Sequence, residues 1–190
     1  MRVANTYAWD RLARELQHPR GDRNLVLLMG GWGAGKTHTL EQSRIKGDLI
    51  FDSALRDFGS ARDIIETARQ NGWKKVDVVY VQRPLDLVAE GALDRAYDQG
   101  RSVPLDQLPQ VHRESQETAS AVDDHYAVDP FVRTEFFLND GTPDNPKTPS
   151  RLTHNQMSRC DQTGTVCSTQ SGTNALKPLR ASAAMRGAAR

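Results

Sequence analysis

Strands and helices alternate along the first 140 residues of the chain, and that alternation predicts an α/β fold: a three-layer αβα sandwich around a short, mostly parallel sheet. Three observations carry this expectation. Short apolar runs bounded by turn residues recur at 24–29, 49–51, 76–81 and 132–138, as buried parallel strands do. Stretches with helical apolar spacing lie between them. A glycine-rich turn joins the first run directly to a helix, so strand, loop, helix and strand make one βαβ unit.

Each element has its own justification. Thr6 is placed to cap a first helix, whose Trp9, Leu12, Ala13 and Leu16 fall on one face and which ends at His18-Pro19-Arg20-Gly21. Residues 36–45 form the helix after the glycine turn, stopped by Lys46-Gly47, and 49–51 form a second buried strand. Ser60 and Asp63 have capping-box spacing ahead of an apolar stripe of Ala61, Ile64, Ile65 and Ala68, and Gly72 stands where a helix-ending glycine belongs. Pro84 opens a helix with Leu85, Val88, Ala89, Ala92 and Ala96 on one face. Pro109 starts another, which carries Val111, Thr118, Val122 and Tyr126.

The chain has 190 residues, enough for one domain with a real core. Its 25 basic and 24 acidic residues nearly cancel, which argues against a global polybasic surface for nucleic acid or membrane. Residues 151–190 carry six basic side chains against Asp161 and only four Leu, Ile, Val or Phe residues. The expected organisation is therefore one domain over 1–145 and a low-complexity, disordered tail over 146–190. No apolar run approaches the roughly 20 residues of a membrane span. No secretory signal precedes the domain, and two cysteines, Cys160 and Cys167, are too few for a disulfide framework, so a cytoplasmic, reducing location is expected. Those cysteines also lack zinc-site spacing.

Gly30-Gly31-Trp32-Gly33-Ala34-Gly35-Lys36-Thr37 fits G-x-x-x-x-G-K-[ST], and its position between a strand and a helix is the context that confirms a phosphate-binding P-loop. The glycines let successive N–H groups converge on phosphate oxygens, and the helix that follows adds the positive end of its dipole. Candidate nucleotide contacts are thus Gly30, Gly31, Gly33, Ala34, Gly35, Lys36, Thr37 and His38, although His38 equally suits a helix surface. Lys36 is expected to reach the β- and γ-phosphates and Thr37 to ligate Mg2+ between them. Trp32 either faces an acceptor or merely fills a tolerant loop position.

Asp52 ends an apolar strand at the sheet's carboxyl edge, where open α/β sheets bind ligands. It suits Mg2+ binding, proton acceptance from an attacking hydroxyl, or a plain turn cap with Ser53. Because Ser53 stands where ATPase motors commonly place a water-activating Glu, transfer to an acceptor is favoured over hydrolysis. Arg95 and Arg101 flank a helix-ending Gly100 and are catalytic candidates as a lid over transferred phosphate, although two arginines at this spacing taken alone read first as a solvated helix end. No Asn-Lys-x-Asp guanine motif occurs, so ATP is expected rather than GTP.

Together these residues resemble the zeta-toxin family of P-loop kinases. The resemblance runs from about residue 25 to 140 and is carried by the loop, 49–55, Tyr80-Val81, Arg83-Pro84, Arg95, Gly100-Arg101, Val103-Pro104 and His112. It implies that Lys36 and Thr37 bind ATP and Mg2+, that Arg95 and Arg101 contact the transferred phosphate, and that the acceptor is a hydroxyl of a small molecule or nucleotide. Members of this family occur in plasmids and phages, which implies an antitoxin-like or mobile-element protein partner. One departure stands out: fifteen residues separate Lys36 from Asp52, too few for the family's segment bearing an acidic catalytic base. Either Asp52 takes that role, or the chain is a weakly active or inactive nucleotide-binding regulatory module. Nucleic-acid binding ranks last, since the basic tail has no aromatics for base stacking.

Overall fold

The computed structural model describes residues 2–100, 103–142 and 144–158, with backbone alone at 2–6, 95, 98, 99 and 158. β1 (Asn24–Met29), β2 (Leu49–Asp52), β3 (Lys75–Gln82) and β4 (Val132–Leu138) are parallel, and β5 (Ser150–Leu152) runs antiparallel to β4. Their order across the sheet is β2-β1-β3-β4-β5. The expected α/β architecture is present, and side-chain alternation along the strands builds its layers. Leu25, Leu27 and Met29 of β1 and Val76, Val78 and Tyr80 of β3 enter the larger core, together with α1 (Arg2–Gln17), α3 (Phe58–Gln70) and α5 (Leu108–His125). Val26, Leu28, Val79, Val81 and Phe137 form the second core with Leu40 of α2 (Lys36–Ser43). Burial on both faces explains why β3 reads as a continuous apolar run.

α4 (Leu85–Gln99) has a different task. Its Val88 and Ala92 pack with Leu108 of α5 and with Trp32, so this helix braces the glycine loop.

Four expectations need correction. Thr6 does not cap α1, which already begins at Arg2. α3 is capped by Asp57, whose carboxylate accepts the Ser60 N–H at 2.8 Å; the Ser60/Asp63 spacing falls inside a helix that has already begun at Phe58. β2 is an edge strand with alternating exposure rather than a buried one: Ile50 is 47% exposed, while Phe51 meets Trp9 edge-on at 5.1 Å. The tail does not begin at residue 146. β5 pairs with β4, Leu152 and Met157 are buried in the main core, and α6 (His154–Ser158) closes against α5. A three-residue strand and a one-turn helix are too short for composition to reveal; what orders them is the open edge of β4 and the apolar face beside it. The remainder of the tail, 159–190, with Cys160 and Cys167, lies outside the described residues, as does Arg101.

Candidate nucleotide site

All four parallel strands deliver polar residues to one carboxyl edge. β1 runs into the loop, β2 ends at Asp52, β3 at Gln82 and Arg83, and β4 at Asn139. The β1–β2 register sets Asp52 beside Leu28, and the Ser53 N–H extends that pairing to the Leu28 carbonyl at 3.1 Å. Asp52 is thereby held level with the start of the loop.

The backbone of the loop requires its motif glycines. Gly30 has φ +141, and a Cβ there would stand 2.7 Å from the Val81 carbonyl; Gly35 has φ +75, and its Cβ would collide with the Asn139 amide. Loop carbonyls are held by side chains from several elements. Lys36 Nζ donates to Gly30 and Gly31 at 3.0 and 3.3 Å. Arg83 Nη1 donates to Gly33 at 3.1 Å, and its Nη2 to Gly141 at 3.3 Å. Asn139 Nδ2 donates to Ala34 at 2.9 Å, and Thr39 tops α2 through the Gly35 carbonyl with both N–H and Oγ1. Among the described residues, the amides of Trp32, Gly33 and Gly35 make no hydrogen bond. Successive backbone N–H groups left without partners at the start of a helix are the arrangement that binds anions.

Lys36 and Asp52 meet at 3.3 Å. The lysine side chain is 12% exposed, so it is a largely buried tie across the loop rather than a solvated arm. Both residues line a cavity of about 890 Å3 with Trp9, Trp32, Arg56 and Glu114. Trp32 has two roles at once, packing on α4 and walling the cavity. Thr37 and His38 are exposed on the first turn of α2, and neither lines the cavity. Arg95 lies on α4, its side chain outside the described set.

Sequence reasoning assigned no role to the clamp formed by Arg83 and Asn139, to the buried Gln82 and His112, or to Glu114. Glu114 reaches the cavity from α5, pairs with Arg56 at 3.6 Å and accepts from Gln110 at 2.7 Å. The signals existed: Gln82 and Asn139 are polar residues ending apolar strands, and His112 interrupts the apolar stripe of α5 between Val111 and Ser115.

With the geometry in place, comparison with known proteins is informative. A profile of the Zeta toxin family matches residues 42–145, just over half of the chain. The chain belongs to the Zeta toxin family. The match begins downstream of Thr37, so the phosphate loop of this zeta-toxin domain is an observation independent of it. No curated protein matches the sequence. Three solved structures are similar in fold, all of the AvrRxo1-ORF1:AvrRxo1-ORF2 complex. The native complex aligns with TM-score 0.56 and 15% identity, covering 74% of this chain. The complex with sulphate ions gives 0.54 and 14% with the same coverage, and that with ATP gives 0.57 and 14% over 84% of this chain. The chain spans 61% of the matched chain in the first two and 69% in the third. No helix among the described residues is long and apolar enough to cross a membrane.

Proposed function

We propose that this zeta-toxin domain is an ATP-dependent phosphotransferase that moves a γ-phosphoryl group to a hydroxyl of a small molecule or nucleotide-type acceptor. The carrying observation is the loop itself: its carbonyls are held by Lys36, Arg83 and Asn139, its Trp32, Gly33 and Gly35 amides are unpaired, and Lys36 and Asp52 line one cavity. ATP in the solved complex of similar fold supports the choice of nucleotide. Lys36 turns from the loop carbonyls to the β/γ-phosphates, where it acts as a point charge. The cavity beside Asp52 seats the acceptor, and Asp52 takes the hydroxyl proton as phosphate is transferred.

Thr37 would hold Mg2+ directly and Asp52 through water, which leaves the Asp52 carboxylate free for the proton; among the described residues there is no cluster of three His, Cys, Asp or Glu that would cage a metal without nucleotide. Bound there, Mg2+ supplies charge neutralisation at the phosphates. Arg95 and Arg101 remain the proposed contacts to the transferred phosphate. The complexes of similar fold contain two different chains, which supports a protein partner for this chain too.

A second reading, a nucleotide-binding regulatory module, is favoured by one observation: the Asp52 carboxylate is already engaged by Lys36. The deciding experiment is γ-phosphate transfer from labelled Mg-ATP to nucleotide sugars, nucleosides and 5′-hydroxyl oligonucleotides, run beside direct nucleotide binding. Labelling that disappears in Asp52→Asn supports transfer. Binding with no labelling selects the module, and no binding at millimolar Mg-ATP overturns both.

A further inference from the structure

Behind the loop lies a buried polar chain that the proposed reaction does not use. Tyr80 Oη donates to Gln82 Oε1 at 2.6 Å, and Gln82 Nε2 meets His112 Nε2 at 3.0 Å. All three side chains are buried, Tyr80 wholly and His112 and Gln82 to within 2%. The order of donors is forced. The Gln82 oxygen faces Tyr80 and can only accept, so the phenol, kept neutral by burial, donates to it. Gln82 must then accept through its oxygen and donate through its nitrogen, so His112 Nε2 accepts. Burial holds the imidazole below its ordinary pKa and therefore neutral, which places its single proton on Nδ1.

That Nδ1–H is buried and has no hydrogen-bond partner among the described residues. It faces the loop, 3.0 Å from where a Cβ on Gly31 would stand, which also accounts for glycine at a position with no positive φ to require it. A buried donor without a partner is destabilising, so it is a poised group. Gly31 itself carries a weakly held acceptor: its carbonyl now receives Lys36 Nζ and the Ala34 N–H, each at 3.3 Å, near the outer limit for a hydrogen bond.

We propose that His112 is a positioning residue for the phosphate loop, its Nδ1–H set by the Tyr80–Gln82 relay to take the Gly31 carbonyl when Lys36 leaves it for bound phosphate. The Gly31 carbonyl then exchanges one side-chain donor for another beside the long Ala34 N–H contact that it keeps. Nucleotide binding is thereby coupled to a side chain that does not touch the nucleotide. The inference rests on the P-loop reading of Gly30–Thr37.

The test measures Mg-AMP-PNP affinity and ring 15N shifts in the full chain, with thermal unfolding as the control for folding. Three proteins are compared: wild type, His112→Leu, which fills the space without a donor, and His112→Asn, whose amide N–H can stand where Nδ1–H stands. Expected are a wild-type Nδ1 resonance that moves on saturation as its hydrogen bond forms, affinity about 10-fold weaker in the Leu variant, and affinity within about threefold of wild type in the Asn variant. Wild-type affinity in a folded Leu variant, equal losses in both variants, or an unmoved Nδ1 resonance at saturation overturns the role of His112 alone. If the Leu variant does not fold, the Asn variant and the wild-type resonance still decide. Absence of any binding by wild type overturns the P-loop reading, and this inference with it.

Discussion

Two charged clusters sit at opposite ends of the sheet and use the same chemistry in opposite ways. At the amino edge, Arg69 at the end of α3 pairs with Asp129 and, at 3.2 Å, with Glu66, while its guanidinium covers the Phe131 ring at 4.3 Å. Tyr126 Oη donates to Glu66 at 2.8 Å. The shifts agree: the hydrogen bond to Asp129 raises Arg69, and that from Arg69 lowers Asp129. The bonds stay within the cluster, which joins α3, the end of α5 and the segment leading into β4. At the carboxyl edge, Lys36 and Asp52 face a cavity, loop amides lack partners, and His112 carries an unused donor. A closed network serves stability. An open one is available to a ligand.

That contrast can be broken most directly at the lysine. Replacing Lys36 with Met should weaken Mg-ATP roughly 10- to 100-fold by calorimetry, the loss of charge-assisted bonds of about 1.5–3 kcal/mol. Because Lys36 also ties Gly30 and Gly31, a modest fall in Tm should accompany it. Asn139→Ala comes next. It strips the Ala34 carbonyl of its buried donor and should cost about 1–3 kcal/mol, seen as lower Tm together with weaker nucleotide binding. Arg69→Met should lower stability by about 1 kcal/mol, since the pair is partly solvated, and leave nucleotide affinity unchanged. If it weakens binding as much as Asn139→Ala does, the two ends are not functionally separate.

The smallest expected effect is in pH. His112 has a depressed pKa in the fold, so the native state binds fewer protons than the unfolded chain as pH falls through the free-histidine value near 6.5. Stability is therefore fully retained above that value and declines as pH drops from it toward the folded pKa. Urea melts between pH 7.5 and 5 should show this decline, and His112→Asn should flatten it. Asp57 and Asp129, both lowered, act in a separate window: their contributions are present above about 3.8 and fade as pH falls through their folded values. A slope unchanged in His112→Asn would assign the acid sensitivity to another group.

The strands, the loop and α3 were legible because each depends on local pattern: apolar runs, glycine at positions of positive φ, and a helical stripe whose four residues are all buried. The cap of α3 was misplaced by three residues because Asp57 and Ser60 both suit that role and the sequence does not say where the chain turns. The Arg83–Asn139 clamp was illegible for a different reason. Its donors come from the ends of β3 and β4, 50 and 105 residues from the carbonyls they hold, and no spacing rule connects them. Asn139 in particular looked like ordinary turn chemistry beside Asp140-Gly141.

By itself, then, the sequence determined an α/β chain with a phosphate loop between strand and helix, since backbone freedom and apolar period are written residue by residue. Tertiary structure alone decided that β2 lies at an exposed edge, that residues 150–158 complete the sheet and core, and that His112 stands behind Gly31. Those outcomes follow from which strands become neighbours and which donors meet which carbonyls, and such pairings exist only once the chain has closed on itself.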